Sequence, residues 1–330
     1  MSVEQSRELN GWPVDGSEQP PRTGASRSLI SIADLTTAEL EHLVARSGRY
    51  FTTPPGRRRP LQDKVIGVLF TVTSTRTRTA FSSGAARLGG TVIAYGPRDL
   101  QLNTGETLED TARVLGGMLD ALVVRDPVPM DDLRRFAAIA GIPVINAMVR
   151  EEHPTQGVSD VATLEAHFGS LAGLHVGYFG EGNNSAAALA LGLAKVPGPS
   201  LSLATPSGYG VDPAVLAEAQ RLVAGSGREV REVHDVDDLT GNLDVVYTTQ
   251  WCTTGTTKPD PDWRTLFAPF AVTGDLMARW PDAVFMHDLP AHRGEEVAAE
   301  VLDGPRSIAW QQARMKLASA MAVLEWCVGD

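Results

Sequence analysis

A stretch of twelve residues, FTVTSTRTRTAF at positions 70 to 81, combines short hydroxyl side chains with guanidinium groups. An apolar strand-like run precedes the hydroxyls and apolar residues at helical spacing follow them, so the stretch stands where a helix begins. Free backbone N–H groups and the positive end of the helix dipole favour an anion at such a position. The sequence therefore predicts a phosphate site formed by Ser74, Thr75, Arg76 and Thr77. A polar turn whose threonines cap the helix remains the alternative for this stretch taken alone.

Further candidate residues stand at the ends of predicted strands or at the start of a predicted helix. Arg125 ends the strand DALVVR, at the edge where open α/β sheets bind ligands. HPTQ at 153 to 156 places a histidine before a helix, proline at its first position and glutamine in its first turn. HDLPAHRGEEV at 287 to 297 follows another strand, and Arg314 lies in the last helix. Together these residues indicate an anionic substrate held at sheet edges.

The elements that must position these side chains alternate along the chain. Helices are predicted at 38 to 51, at 154 to 168 and in the last segment, and strands at VIGVLFTV, TVIAYG, DALVVR, IPVINAM, GLHVGYF, SLSLATP, DVVYTTQ and AVFMHDL. β-Branched strands separated by helical patterns are typical of parallel sheets with crossover helices. At 330 residues, two domains are expected.

Composition narrows the class of protein. The 40 acidic and 29 basic residues leave a formal net charge of −11, which argues against nucleic acid or an anionic membrane as the main partner. Two cysteines, Cys252 and Cys327, favour a reducing cytoplasm over a disulfide framework. No export signal or membrane-spanning run is predicted, and residues 1–27, rich in Pro, Gly and Ser, are expected to form a disordered tail.

The motifs STRTR, DTARVLG, HPTQ and HxLPxHRGEEV, in this order and spacing, resemble the aspartate and ornithine carbamoyltransferase family over nearly all of residues 29 to 328. The resemblance implies two doubly wound α/β domains, one for carbamoyl phosphate and one for the acceptor. It places the first at 28–150, completed by a returning C-terminal helix at 307–330, and the second at 151–306. It also implies a homotrimer. Separately, we expect no cofactor and no metal.

The resemblance also assigns roles to the site residues. Ser74, Thr75, Arg76 and Thr77 would hold the phosphate, with Arg125 reaching both the phosphate and the carbamoyl oxygen. His153 would donate to that oxygen, Gln156 would accept from the carbamoyl amide, and backbone carbonyls of the turn at Asp288, Leu289 and Pro290 would bind its N–H groups. Arg314 would point at the same site, and Gln101 would contribute to the active site of a neighbouring subunit. Arg76, Arg125, His153 and Asp288 are the expected catalytic residues.

The acceptor side departs from the family pattern. Ornithine enzymes carry Asp-x-Trp-x-Ser-Met-Gly where this chain has Thr249 to Gly255, so Thr249 replaces an aspartate and Thr253 with Thr254 replaces Ser-Met. Loss of a charge-assisted hydrogen bond costs roughly 1.5–3 kcal/mol, which argues against ornithine. The two arginines that aspartate enzymes use are also missing. We therefore expect another small acceptor, such as a diamine, a modified amino acid, a compound with a weakly basic nitrogen or one with a hydroxyl. The residues expected to contact it are Asn184, Thr249, Thr253, Thr254 and Asp288.

Asp288 stands where ornithine enzymes have cysteine. Our hypothesis makes it a general base or the partner of a cationic group on the acceptor, because an alkyl ammonium must lose a proton before it attacks. The alternative is a structural ion pair with His292 or Arg293.

Four other interpretations compete with this one. The chain could be an ornithine carbamoyltransferase proper, or a non-catalytic homologue that only binds carbamoyl phosphate. GEGNN at 180 to 184 could begin a dinucleotide fold, but Ser185 replaces the third glycine and no acidic residue ends the next strand. A metal site at His287 and His292 lacks further clustered donors in the sequence.

Overall fold

A computed structural model describes residues 27–53, 55–56, 58–252 and 257–329 of the chain. The predicted tail lies outside the described residues apart from Arg27, and so do Thr253 and Thr254. No helix within the described ranges has both the length and the apolar character needed to cross a bilayer.

The first sheet has four parallel strands in the order β2-β1-β3-β4. The strands are β1 (Val65–Phe70), β2 (Thr91–Tyr95), β3 (Ala121–Arg125) and β4 (Val144–Asn146), and the helices around them are α1 (Thr37–Thr52), α2 (Arg76–Arg87), α3 (Leu108–Gly116) and α4 (Met130–Ala140). The strand order reverses between β1 and β3, where open sheets form a ligand crevice. Phe70 pairs with Arg125 in the register of these two strands, so the hydroxyl-rich loop after β1 and the end of β3 meet at that crevice.

The second sheet has five parallel strands in the order β7-β6-β5-β8-β9. Its strands are β5 (His175–Phe179), β6 (Ser200–Ala204), β7 (Val230–Val233), β8 (Val245–Thr248) and β9 (Val284–His287). Its helices are α6 (Asn184–Lys195), α7 (Pro213–Val223), α8 (Trp263–Phe267), α9 (Gly274–Ala278) and α10 (Ala299–Leu302). Here the order reverses between β5 and β8, and Thr248 pairs with both Phe179 and His287. The ends of β5, β8 and β9 therefore lie side by side.

Two long helices connect the sheets. α5 (Pro154–Phe168) packs on α1, on α6 and on α11 (Ala309–Val328), and α11 also packs on α1 and α2. The chain thus returns from the second sheet to the first, as predicted. α5 approaches α6 so closely that a Cβ on Gly157 would lie 2.7 Å from the carbonyl oxygen of Ala188. Glycine permits this contact because it has no side chain.

The two parallel sheets confirm the predicted fold class, and the structure adds one strand that the sequence did not single out. β7 has the sequence VREV and lies at the edge of the second sheet, where only Val230 is buried among its four residues. A partly solvated edge strand lacks the apolar run that marks buried parallel strands. The expected domain boundary at residue 150 stays a prediction.

Candidate active site

The hydroxyl-rich loop lies at the start of α2, as the sequence predicted. Arg76 is the first residue of that helix and Thr75 is its N-cap. Among the described residues, the Thr75 hydroxyl makes no capping hydrogen bond, so the capping alternative does not account for it. Ser74, Thr75 and Thr77 instead line a cavity of about 310 Å³ that also receives Arg76. The loop therefore offers hydroxyl donors and a helix N-terminus to whatever fills the cavity.

Arg125 reaches the same cavity from the end of β3. Burial lowers its pKa to about 10, with Asp288 opposing that shift and Arg76 adding to it. Burial also lowers the pKa of Arg76. Both guanidinium groups remain charged at neutral pH, and within the described part of the chain the buried Nε of Arg125 has no hydrogen-bond partner. Two partly desolvated cations side by side form a site that favours an anion.

The N-terminus of α5 forms another wall of the site. His153 is the N-cap, its Nε2 lies 3.5 Å from Nη1 of Arg125, and its Nδ1 lies 3.2 Å from Oγ1 of Thr155. Burial, together with Arg125 and Lys316, holds the pKa of His153 well below its usual value. The ring is thus neutral at physiological pH and has a single N–H to donate.

Gln156 is oriented by a buried carboxylate one turn along α5. Its Nε2 donates to Oδ1 of Asp160 over 2.7 Å, and Asp160 also accepts from Gln312 and from the hydroxyl of Tyr247. The buried Oε1 of Gln156 has no partner among the described residues. It lines a small cavity that shares Thr77, His153 and Lys316 with the main one. This amide can accept from a ligand N–H, as the resemblance implied.

Asp288 forms the opposite wall, just after β9. Its Oδ1 accepts from the Thr249 hydroxyl at 2.7 Å and its Oδ2 from the Ser185 hydroxyl at 2.8 Å. Arg293 pairs with Asp303, and His292 lies beside Glu295 and Glu296, so the alternative pairing of Asp288 with these residues is wrong. Two hydroxyl donors hold the Asp288 carboxylate in place inside the cavity.

Asn184 and Leu289 complete the acceptor side. Asn184 is the first residue of α6, lines the cavity, and donates its side-chain N–H to the carbonyl of Val149 over 3.0 Å. Leu289 also lines the cavity, has a φ of 58° and precedes a cis peptide bond to Pro290. Its backbone N–H donates to Nδ1 of His287 over 2.8 Å, which orients the turn.

The glycines of GEGNN contact protein backbone. A Cβ on Gly182 would lie 2.1 Å from the backbone nitrogen of Val211, so the glycine is needed where the turn meets residues 209–211. The Asn183 side chain caps α6 by accepting from the backbone N–H groups of Ser185 and Ala186. Gly182 and Asn183 thus both have structural roles, so the GEGNN motif no longer supports a dinucleotide-binding site.

Two expected carbamoyl phosphate ligands lie outside the main cavity. Gln101 is exposed on a short 3-10 segment, where its side chain accepts from the Thr104 hydroxyl. Arg314 is exposed, and its guanidinium lies 5.3 Å from the ring centre of Phe51, in a separate groove of about 580 Å³. Lys316 lines the main cavity instead. Residues two apart on a helix point about 200° apart, so α11 presents Lys316 to the main cavity and Arg314 to the adjoining groove, which shares Thr75 and Arg76 with that cavity.

Lys316 was not identified from the sequence. The apolar pattern of α11 could have indicated it, because a lysine between Met315 and Leu317 on a largely buried helix must face a polar cavity or remain unsatisfied.

Comparison with known proteins agrees with the family that the motifs indicate. Residues 27–166 match the family model described as aspartate/ornithine carbamoyltransferase, carbamoyl-P binding domain, and residues 172–327 match that of the Asp/Orn binding domain. A protein of Gloeobacter violaceus named ornithine carbamoyltransferase is 40% identical over 93% of this chain and 98% of its own length.

Solved structures agree as well. The Pyrococcus furiosus ornithine carbamoyltransferase structure aligns with a TM-score of 0.86 at 36% identity, covering 92% of this chain and 97% of that one. The Gloeobacter violaceus ornithine carbamoyltransferase structure has a TM-score of 0.81 at 38% identity, covering 92% of this chain and 98% of that one. Both domains and their order along the chain are thus matched, and the chain belongs to the aspartate/ornithine carbamoyltransferase family.

Proposed function

We propose that this carbamoyltransferase moves the carbamoyl group of carbamoyl phosphate to an amino group of ornithine or a closely related diamino acid, and releases phosphate. One observation carries the proposal. A cluster of cations and a helix N-terminus face the buried carboxylate of Asp288 across a single cavity of about 310 Å³. The cationic wall suits a phosphate, and the carboxylate suits an ammonium group of the acceptor.

The chemistry requires no covalent enzyme intermediate. The lone pair of the acceptor amine attacks the carbamoyl carbon, a tetrahedral oxyanion forms, and the C–O bond to phosphate then breaks with its electron pair on the phosphate oxygen. Arg125 is placed to donate to the oxyanion, and His153 can donate to it in the tautomer that carries the proton on Nε2. Arg76 with the loop hydroxyls receives the phosphate. The amine loses a proton to phosphate or solvent. Orientation and electrostatic stabilisation supply the acceleration.

The acceptor preference differs from the sequence-based expectation. Relatives at about 40% identity are named ornithine carbamoyltransferases, so the expectation of an acceptor other than ornithine is not supported. The hydrogen bond from Thr249 to Asp288 offers a physical reason. Although position 249 lacks the family aspartate, the Asp288 carboxylate just after the adjacent strand lies within hydrogen-bond reach of that position. The cavity therefore retains an acidic group that could bind the α-ammonium of an amino acid.

A second candidate is a carbamoyltransferase for another small amine. It is favoured by Thr249 and Asp288, because the carboxylate follows β9 and not β8, and the ends of these neighbouring strands place it at a different point of the cavity wall. An acceptor with a differently placed cationic group would then fit better than ornithine.

The proposal includes a homotrimer with shared sites in the cytoplasm. The groove that holds Arg314 runs between α1, α2 and α11 and shares Thr75 and Arg76 with the main cavity. It is open beside the phosphate loop, where a segment carrying Gln101 from another subunit would complete the site. The presence of only two cysteines in 330 residues suits a reducing cytoplasm.

The test is phosphate release from carbamoyl phosphate by purified protein against ornithine, aspartate, lysine, putrescine and related amines, with the carbamoylated product identified by mass. Ornithine turnover at least tenfold above the other amines supports the main proposal. Preference for another amine supports the second candidate. Binding of carbamoyl phosphate without turnover of any amine would instead identify a non-catalytic homologue.

A further inference from the structure

Lys316 is a buried cation that faces the main cavity and the small cavity beside Gln156. It is one of only four lysines among the 29 basic residues of the chain. The residue is 9% exposed. Among the described residues it makes no salt bridge or side-chain hydrogen bond. Asp288 and Asp160 favour its charge but lie beyond salt-bridge distance, so an anionic ligand in the cavity would supply the direct acceptor that the ammonium group lacks.

The charged groups around Lys316 come from every element that packs against α11. Asp288 follows β9, Asp160 and His153 belong to α5, and Arg76 belongs to α2. Arg125 adds a further cation from β3. From α1, Arg46 and Tyr50 face α11 but interact with Glu325, more than two turns further along that helix. The immediate surroundings of Lys316 thus contain two other cations, a neutral histidine and two carboxylates.

We propose that Lys316 is the third cation of the carbamoyl phosphate site, beside Arg76 and Arg125, and this inference rests on the proposed function. Lys316 takes up a proton when the carbamoyl phosphate dianion binds, so the affinity for that ligand depends on pH. The geometry carries this assignment, because the ammonium group lines the same cavity as Arg76, Arg125 and the phosphate loop. An arginine in its place would stay charged throughout the physiological range. A lysine, in contrast, can lose its charge by deprotonation within the physiological range.

Linkage determines the direction of the effect. Burial lowers the pKa of Lys316 to about 8, with Arg76 and Arg125 adding to the shift and the two carboxylates opposing it. A bound dianion favours the protonated form and raises that pKa. Below about pH 8 the lysine is already charged and binding needs no proton. Above it, binding must take up a proton, and affinity falls by up to about tenfold per pH unit until the pKa of the complex is reached.

The experiment compares full-length wild type with Lys316→Arg, Lys316→Met and the control Lys64→Met, which lies before β1 and outside the cavity. Isothermal titration with freshly prepared carbamoyl phosphate measures Kd between pH 6.5 and 9.5, in buffers of different ionisation enthalpy that report proton uptake. Because every variant meets the same ligand, titration of the ligand itself cancels in the comparison. Thermal unfolding checks that each variant is folded.

We expect wild type and Lys64→Met to lose affinity above pH 8 with proton uptake. Lys316→Arg should bind with little pH dependence and no uptake, and Lys316→Met should bind at least tenfold more weakly at pH 7. Equal pH dependence in wild type and Lys316→Arg would overturn the proposal, as would wild-type affinity in Lys316→Met. Wild type that fails to bind carbamoyl phosphate would overturn both this inference and the proposed function. Titrating binding without turnover of any amine would overturn only the function.

Discussion

The hydroxyl of Thr249 donates to the carboxylate of Asp288 over 2.7 Å, and this contact joins the ends of two neighbouring strands across 39 positions of sequence. Ser185 donates to the other carboxylate oxygen from the start of α6. The carboxylate is therefore held by three segments of the second domain and lies in the cavity that also contains Arg76 and Arg125. This arrangement gives the acceptor side an acidic group at a position that the family motif does not predict.

The first prediction concerns the position of the Asp288 carboxylate. Replacing Asp288 with cysteine should raise the KM for the preferred amine by about 10- to 100-fold, since a charge-assisted hydrogen bond contributes roughly 1.5–3 kcal/mol. In the double variant Thr249→Asp/Asp288→Cys the acid returns to the position that it has in the ornithine enzymes this sequence resembles. Ornithine turnover should recover relative to the single variant. Unchanged kinetics in Asp288→Cys would show that the carboxylate does not contact the acceptor.

The second prediction concerns the phosphate loop. Arg76→Ala should lower kcat/KM by about 100-fold or more with every acceptor, because it removes a donor from the developing phosphate charge. Arg78 is exposed on the same helix and provides a matched control. Arg78→Ala should stay within a few-fold of wild type in a phosphate-release assay. Near-normal rates in Arg76→Ala, with an unchanged circular dichroism spectrum, would refute the site assignment.

The third prediction concerns the stability of the junction between α5 and α6. A Cβ on Gly157 would lie 2.5 Å from Cδ1 of Ile32 as well as 2.7 Å from the Ala188 carbonyl oxygen, and a backbone atom cannot rotate away. Gly157→Ala should lower the free energy of unfolding by about 1–3 kcal/mol. Gly48 lies in α1 with nothing within 4 Å of its would-be Cβ, so Gly48→Ala should raise it by about 0.5–1 kcal/mol. Denaturant unfolding measures both, and the same sign in both variants would contradict this explanation.

The fourth prediction concerns pH and a buried glutamate. Burial raises the pKa of Glu152 to about 7, although Ile32 N–H and Ser31 hydroxyl donate to it. The unfolded state loses this proton near the ordinary value of 4.5, so the folded state binds more protons between about pH 4.5 and 7. The contribution of Glu152 to stability therefore falls as pH rises through that window and is constant above it.

Glu152→Gln removes this titration. The urea midpoint of the variant should change less between pH 4.5 and 7 than that of wild type, and Glu151→Gln, one residue earlier, serves as the control. Parallel curves for wild type and Glu152→Gln would show that another group causes the pH dependence.

Local sequence patterns determined much of the fold. The predicted helix at 154 to 168 coincides with α5, and the eight predicted strand segments each contain a strand of the structure. β-Branched runs and helical periodicity specify such elements through interactions between near neighbours. β7 was not predicted, because an edge strand with charged residues lacks that apolar pattern. The positions of the hydroxyl-rich loop at the start of α2 and of His153 at the start of α5 were also predicted, because strand, turn and helix start are adjacent in sequence. Phosphate binding by the loop stays a prediction.

Only the tertiary structure decided which side chains meet in the cavity. Whether α11 presents Arg314 or Lys316 depends on how the helix is rotated against α2 and α5. The pairing of Thr249 with Asp288 depends on β8 and β9 being neighbours in the sheet. These relationships join residues that are far apart in sequence or differ by a rotation about a helix axis. Periodicity along a chain specifies which residues are buried, but the packing of whole elements specifies what each buried polar group faces.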